Sequence, residues 1–386
     1  MGKALTLPRN APGRRDVSES ANALAPRIEV LDGLRGLAIA LVLMCHLQEY
    51  IRQLWPNTSA FGASGFAEKL VLNLWVGVDL FYVLSGFFIA NAVLRPSTFE
   101  PLHFVRRRMT RILPAYYLAL LLVLVLIERQ YFASARGWAD IGLHLLMLHQ
   151  MQPWSMYSII GPAWTLGIEW SFYLAMLALA PIWRAWAGWS MVLFFVAVSY
   201  VWRASVMVAV EPEQRSFWAV QILGALDEFA MGMLVAWLQQ RGVWARFRAR
   251  WPWGGLAMLC LVLTLAGTCL VYYVSLLPQG YYSYPFAVVF SRTWLAAGFA
   301  LMLAGFVVLE TSSVLQAVVR STGLGALGRI SFSVYLYHAP VILLVHRSGQ
   351  TLVTSGPLLA LTLTVLSLLV AWMNFRWVEN RWHPSV

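Results

Sequence analysis

Residues 34–54 read LRGLAIALVLMCHLQEYIRQL, and this stretch determines the class of fold. About 20 predominantly apolar residues in a helix cross the ~30 Å hydrocarbon core of a bilayer. Nine further apolar runs of similar length follow along the chain, at 70–94, 112–127, 164–183, 190–210, 217–238, 254–275, 286–308, 326–344 and 356–377. The sequence therefore predicts an all-α polytopic membrane protein with about ten transmembrane helices.

The composition supports this fold class. Hydrophobic residues make up 60% of the 386 residues and charged residues only 12%, about half the charged share of a soluble domain. This balance excludes a soluble enzyme and a disordered chain. The net charge of +11 could indicate nucleic-acid binding, but the arginines lie between apolar runs, which is typical of the cytoplasmic membrane face. We expect the lipid bilayer as a partner and no nucleic acid.

The distribution of basic residues indicates the orientation. With ten spans and a cytoplasmic N-terminus, 20 of the 28 Lys and Arg residues lie on the cytoplasmic side and 8 outside. The apolar run at 141–151 is too short to span, so we predict a re-entrant or interfacial helix there. Counting it as an eleventh span would change the division to 15 against 13. We therefore predict that both termini are cytoplasmic.

The chain is expected to form one domain. Residues 1–26 are polar and basic and predict a disordered cytoplasmic tail, because no apolar run resembling a signal peptide precedes Leu34. The membrane domain is predicted at 27–379, followed by a short cytoplasmic tail at 380–386. Three cysteines lie within apolar runs and are expected to be small core residues without disulfide or zinc spacing: Cys45, Cys260 and Cys269.

Ionisable residues within the spans need an explanation, since each costs roughly 2.5–3.5 kcal/mol on insertion scales. Arg35 and His46 are eleven residues apart, which separates them by about 16 Å along one helix. Arg35 could be an interface anchor, and His46 could be a structural histidine that bonds a neighbouring helix. A neutral imidazole is also the best general base near pH 7.

Four other polar residues lie within the predicted spans. Asp79 and Ser85 fall in the second span, where Ser85 and the following glycine either permit close helix packing or leave room for a ligand. Glu169 lies about 8 Å into the fourth span, where a glutamate is paired or faces a water-filled cavity. His338 lies at nearly the depth of His46, and could equally be a packed histidine before a proline kink.

Two charged clusters complete the pattern. Four arginines between 106 and 111 either anchor the chain at the membrane or bind phosphate, since one guanidinium group can bind two phosphate oxygens at once. Asp227 and Glu228 are adjacent near mid-membrane and cannot both be charged and unpaired cheaply. We predict a structural role for this acidic pair, with Arg203 or Arg292 as its partner.

Six motifs together resemble one family. They read LDGLRG at 31–36 with His46, GVDLFYVLSGF at 77–87, RMTRILP at 108–114, WTLGIEWSFY at 164–173, DEFAMG at 227–232 and SFSVYLYHAP at 331–340. In this order they resemble the acyltransferase-3 family of integral membrane O-acyltransferases, from about Arg27 to Glu379. The spacing of Arg35 and His46 matches the family's most discriminating signature. Tyr82, where a second Phe is usual, and Trp170, where another Glu is frequent, depart from the pattern.

The resemblance implies a reaction. Family members transfer an acyl group, usually acetyl from cytoplasmic acetyl-CoA, to a hydroxyl of a glycan, a lipid-linked sugar or a small molecule. The chain is similar to members without an SGNH-hydrolase-like domain, and a bacterial cytoplasmic (inner) membrane is the expected location.

The resemblance also implies roles for individual residues. His46 is the expected general base, and Glu169 would orient His46 or bind the acceptor. Four residues are expected to bind acyl-CoA: Arg35, Ser85, Arg108 and Arg111. Three are expected to bind the acceptor: Asp79, Tyr173 and His338. No metal is expected, and a covalent acyl-histidine remains an alternative.

Two other classes of protein fit the same residues less well. A secondary transporter could use buried His, Glu and Arg as a proton relay, but it predicts inverted repeats and broken helices in matching halves. We find neither in the sequence. A scaffold subunit of an envelope complex would not need ionisable residues at matched depths. The acceptor, the acyl chain length and the oligomeric state are open at this point.

Overall fold

The structure is a computed structural model. It describes residues 16–55, 58–62, 64–94, 100–185, 188–256, 280–348 and 355–382, with a few single residues between 258 and 267. No strand occurs among these residues. The helices in the described part of the chain are α1 Asp16–Leu54, α2 Gly65–Leu72, α3 Gly77–Leu94, α4 Pro101–Leu126, α5 Ala135–Leu145, α6 Trp164–Ala185, α7 Gly188–Ala209, α8 Arg215–Ala219, α9 Ile222–Gln240, α10 Val243–Arg250, α11 Pro285–Val308, α12 Ser313–Ser321, α13 Leu324–Arg329, α14 Ser331–Arg347, α15 Gly356–Asn374 and α16 Asn380–Trp382.

Eight helical segments in the described residues are long and apolar enough to cross a membrane. They are Glu29–Leu54, Gly65–Leu94, Pro101–Leu126, Gly161–Ala185, Gly188–Ala209, Pro212–Gln240, Pro285–Val308 and Gly356–Glu379. Each coincides with a predicted span, so the all-helical membrane fold is confirmed. The segment at 141–151 forms no long helix: the eleven-residue α5 ends at Leu145, and a single 3₁₀ turn follows at His149–Met151.

Two of the ten predicted spans are not among these eight. Most of the predicted span at 254–275 lies outside the described residues. The predicted span at 326–344 is divided at Ile330 into the short helix α13 and the 17-residue helix α14. Gly323, with the left-handed φ of +73°, immediately precedes α13, and Gly328 within α13 packs directly on the backbone of α1. The count of ten spans and the orientation stay predictions.

Close helix crossings at glycines fix the arrangement around the site. A Cβ atom added to Gly86 of α3 would lie 2.0 Å from the carbonyl oxygen of Phe229 in α9. A Cβ atom at Gly232 of α9 would lie 1.8 Å from the carbonyl oxygen of Val83. Only glycine permits this backbone contact. The crossing of α3 and α9 is one of the most extensive helix contacts in the described structure.

The orientation can be tested with fusion reporters. Because the charge bias predicts that both ends of the chain are cytoplasmic, a fluorescent protein fused after Val386 should fluoresce and a phosphatase fused there should be inactive. A phosphatase inserted between residues 278 and 285 should be active, and a fluorescent protein inserted there should not fluoresce. Paired phosphatase and fluorescent-protein fusions provide this measurement, and an exported C-terminal reporter would contradict the ten-span arrangement.

Candidate active site

A cavity between five helices collects six of the residues that the sequence predicts for binding or catalysis. We call it the arginine cavity. It is lined from α1, α3, α4, α6 and α14, and the predicted residues among its lining are Arg35, Ser85, Arg108, Arg111, Glu169 and Tyr173. Thr165, Ser331 and Tyr335 also line it. These three lie in the motifs at 164–173 and 331–340, although sequence reasoning gave them no role.

The three arginines of this cavity are partly buried cations. Arg35 lies 3.5 Å from Asp32, one turn away in α1, at the edge of ion-pair distance. The described residues place no carboxylate within ion-pair distance of Arg108 or Arg111. The Arg108 guanidinium lies over the aromatic ring of Tyr173, with 5.3 Å between its carbon and the ring centroid. By contrast, Arg106 and Arg107 are exposed, which favours the alternative that these two arginines anchor the chain at the membrane. The cavity can therefore receive an anionic group.

Glu169 forms the hydrogen-bonding centre of the cavity wall. Its Oε1 atom accepts hydrogen bonds from the Ser85 hydroxyl and from the Tyr173 hydroxyl, both at 2.5 Å. Within the described structure, no hydrogen bond joins Glu169 to His46. The geometry therefore supports a role for Glu169 in fixing two hydroxyl groups rather than in orienting His46 directly.

His46 and His338 form a hydrogen-bonded pair. The His46 Nδ1 and His338 Nε2 atoms are 2.7 Å apart, and His338 Nδ1 lies 3.0 Å from the carbonyl oxygen of Val334. The ring planes differ by 8°, and the ring centroids are 5.0 Å apart. Because the two nitrogens are much closer than the centroids, the rings meet edge to edge, as an N–H···N hydrogen bond requires. The pair joins α1 to α14.

A second pocket lies next to His46. We call it the histidine pocket, and it is lined by Cys45, His46, Glu49, Arg52, Gln53, Leu72 and Trp75. His46 lines this pocket rather than the arginine cavity. Tyr335 lines the arginine cavity, and its ring centroid is 5.8 Å from that of His338. One member of the pair, His46, therefore lines the histidine pocket, and the other, His338, adjoins Tyr335 in the wall of the arginine cavity.

Asp79 takes a different position from the predicted one. It was expected to bind an acceptor, but it is fully buried and lines neither pocket. Arg292 Nη2 lies 2.8 Å from Asp79 Oδ1, and Arg292 Nε lies 2.9 Å from Glu228 Oε1. Arg203 pairs with Asp227 in the same way. The predicted structural role of Asp227 and Glu228 is confirmed, and Asp79 belongs to the same ion-pair network.

A contact between His144 and His149 was not expected from the sequence. Their spacing of five residues argues against a shared helix face, but α5 ends at Leu145 and the chain turns at Met147, whose φ is +56°. The rings consequently stack face to face with centroids 4.1 Å apart. Tyr116 and Ser158 are hydrogen-bonded to the two nitrogens of His144. Burial lowers the pKa of His144 to about 2 and that of His149 to about 4, so the pair is neutral. No group of three metal ligands occurs in the described residues.

Cys45 agrees with its predicted core position. It is buried, and its thiol donates a hydrogen bond to the carbonyl oxygen of Leu72 at 3.2 Å. Cys260 and Cys269 lie outside the described residues.

Known proteins share this sequence pattern. BcsY of Komagataeibacter xylinus, named as a membrane-bound transacylase, is 30% identical over 184 residues, or 44% of this chain and 42% of BcsY. YrhL of Bacillus subtilis, named as a peptidoglycan O-acetyltransferase, is 30% identical over 37% of this chain and 22% of YrhL. The peptidoglycan O-acetyltransferase OatA of Listeria monocytogenes is 27% identical over 37% of this chain and 22% of OatA. The matched segment thus spans less than half of each relative.

No solved structure matches this chain. The model of one family, described as an acyltransferase domain, matches residues 28–375. That match spans nearly all of the chain, including the arginine cavity and both histidines of the pair, so the protein belongs to the acyltransferase-3 family.

Proposed function

We propose that the protein is a membrane O-acyltransferase that moves an acyl group, in the simplest case acetyl, from cytoplasmic acyl-CoA to a hydroxyl of a glycan. One observation carries this proposal: His46 lines the histidine pocket and is hydrogen-bonded to His338, whose ring neighbours Tyr335 in the wall of the arginine cavity. An acyl donor in the arginine cavity and a hydroxyl acceptor in the histidine pocket would then react at His46. Family membership supports acyl transfer as the reaction class.

The donor site of this proposal is the arginine cavity. Acyl-CoA carries phosphates, and Arg35, Arg108 and Arg111 offer three guanidinium groups at one opening. The arm that carries the thioester would pass the hydroxyls held by Glu169, which line the same cavity. Tyr335 lines the same cavity, and its ring adjoins that of His338. Since CoA is a cytoplasmic molecule, the arginine cavity would open towards the cytoplasm of a bacterial inner membrane.

The acceptor site of this proposal is the histidine pocket. Trp75 lines the pocket with an aromatic ring that a sugar would contact, and Glu49 and Gln53 offer hydrogen-bonding groups for its hydroxyls. Two of the relatives are named as peptidoglycan O-acetyltransferases, which supports a glycan as the acceptor class. A hydroxyl in this pocket would lie beside His46, which we assign as the general base.

The chemistry requires no cofactor beyond the donor. His46 removes the proton of the acceptor hydroxyl as the oxygen attacks the thioester carbonyl carbon. The C–S bond then breaks, and the CoA thiolate takes up this proton from His46. The products are an ester on the acceptor and free CoA thiol.

The reaction can be tested with purified protein in liposomes. Labelled acetyl-CoA and a set of acceptors, including peptidoglycan fragments, a lipid-linked sugar and a free oligosaccharide, should give label in one acceptor class and an equal amount of free CoA thiol. Thiol release without labelled acceptor would indicate hydrolysis. If neither product forms with any acceptor, the acyltransferase proposal fails for this set of substrates.

The arginines provide the test of donor binding. Single alanine substitutions of Arg35, Arg108 and Arg111 should each raise the KM for acetyl-CoA about tenfold or more, because a hydrogen bond to a charged group contributes about 1.5–3 kcal/mol. Arg250→Ala is the matched control, because Arg250 is exposed and lines neither pocket. Steady-state kinetics at saturating acceptor gives the comparison. An equal effect of Arg250→Ala would mean that the arginines only anchor the chain in the membrane.

A further inference from the structure

We infer that His338 is a positioning residue, which fixes His46 in the tautomer whose Nε2 atom is unprotonated. This inference rests on the proposed role of His46 as the base. It replaces the predicted role of His338 in acceptor binding, because His338 is fully buried and lines neither pocket. It follows from the direction of two consecutive hydrogen bonds.

The first hydrogen bond determines the tautomer of His338. Its Nδ1 atom lies 3.0 Å from the carbonyl oxygen of Val334, one turn earlier in α14. A carbonyl oxygen can only accept a hydrogen bond, so His338 Nδ1 must carry the proton. In the neutral ring the other nitrogen, Nε2, then has a lone pair and can only accept.

The second hydrogen bond determines the tautomer of His46. Its Nδ1 atom lies 2.7 Å from His338 Nε2. Because His338 Nε2 accepts, His46 Nδ1 must be the donor and must carry the proton of the neutral ring. His46 Nε2 consequently has the free lone pair. The structure gives this nitrogen no hydrogen-bond partner among the described residues, and His46 is only partly buried.

The opposite direction of the second hydrogen bond would be costly. It would require protons on both nitrogens of His338, and hence a cation at a fully buried position. In the described part of the chain no carboxylate lies within ion-pair distance of either ring. An unpaired buried charge is far more expensive than a neutral hydrogen-bonded ring.

This arrangement assists both halves of the proposed reaction. When the acceptor O–H bond breaks, its proton forms a bond to His46 Nε2, and the developing positive charge is stabilised through the hydrogen bond from His46 Nδ1 to His338. When the C–S bond breaks, the proton leaves Nε2 for the CoA thiolate. The proton on His46 Nδ1 remains in place throughout, so His338 acts through His46 without touching either substrate.

Two substitutions of His338 separate orientation from packing. In His338→Leu the acceptor for His46 Nδ1 is absent, and both tautomers of His46 become accessible. We expect kcat to fall at least tenfold but by less than the roughly 10²–10⁴-fold that a general base contributes. In His338→Gln the side-chain oxygen can accept from His46 Nδ1, so most of the activity should return. The KM for acetyl-CoA should stay within about twofold of wild type, since His338 does not line the arginine cavity.

The matched control is His346→Leu, which removes a histidine from the same helix away from both pockets. Full activity is expected for this variant. Thermal unfolding in detergent must show that the variants fold. Wild-type kcat in folded His338→Leu would overturn the inference. So would equal loss in folded His338→Leu and His338→Gln.

A second readout does not depend on activity. Solid-state ¹⁵N NMR of histidine-labelled protein in lipid should show protonated Nδ1 and unprotonated Nε2 for both His46 and His338, assigned with single-histidine variants. His338→Leu should change the tautomer populations of His46. A protonated Nε2 in wild-type His46 would contradict the inference. Because this experiment needs no substrate, it gives an answer even if the proposed acyltransferase activity fails.

Discussion

Replacing His46 with alanine should reduce kcat for acyl transfer by roughly 10²–10⁴-fold, the usual contribution of a general base. The imidazole is the only group of α1 that both lines the histidine pocket and is held by a second, buried histidine. Acetyl-CoA binding should survive, since the guanidinium groups of the arginine cavity do not contact His46. Single-turnover transfer from labelled acetyl-CoA, together with equilibrium binding of CoA to the same preparation, provides the measurement.

The control for this prediction is His346→Ala, because it removes a histidine that lines neither pocket. A folded His46→Ala protein that binds CoA and transfers acyl groups at a near-normal rate would show that another group is the base. Glu169 is the next candidate, since its carboxylate lines the arginine cavity, although it is already bonded to Ser85 and Tyr173. Loss of CoA binding in the same variant would indicate instead that His46 supports the donor site.

Much of the fold could be predicted because a membrane span depends on a property of the local sequence, namely the length of its apolar run. An apolar run of about 20 residues predicts a span without knowledge of its neighbours. The helix break within the predicted span at 326–344 was not foreseen, since hydropathy does not register that Gly328 packs on the α1 backbone and that a short helix ends at Arg329. A short run such as 141–151 was correctly left without a span, because eleven residues cannot reach across.

The sequence could predict the candidate site only as far as it could predict the depth of each site residue in the membrane. The rise of ~1.5 Å per residue gives the level of each polar group along its helix, and it placed His46 and His338 at similar depth. It does not give the direction in which a side chain points or the helix that it meets. Asp79 therefore received a role in acceptor binding, whereas its helix turns it towards Arg292. The contact between His144 and His149 was missed because it depends on the backbone turn at Met147.

Replacing Arg292 with methionine should destabilise the folded protein by about 3–5 kcal/mol, the typical cost of removing one partner from a buried ion pair. Arg292 of α11 lies 2.8 Å from Asp79 of α3 and 2.9 Å from Glu228 of α9, and all three residues are buried. Without the guanidinium, two carboxylates would remain close together without a compensating charge. Thermal unfolding in detergent and the rate of proteolysis should both report a large loss of stability.

The same site allows the charge effect to be separated from the loss of packing. If uncompensated charge is the cause, adding Asp79→Asn and Glu228→Gln to Arg292→Met should restore much of the stability, since the triple variant replaces all three charged groups of this site with neutral ones. Arg248→Met is the matched control, because Arg248 forms a partly exposed ion pair with Glu310 at 3.7 Å, and such pairs contribute only about 0–1 kcal/mol. A triple variant as unstable as Arg292→Met would mean that the guanidinium acts through its packing between α3, α9 and α11. If Arg292→Met is as stable as the wild type, the ion-pair network does not stabilise the crossing of α3 and α9. That crossing holds Ser85 at the arginine cavity.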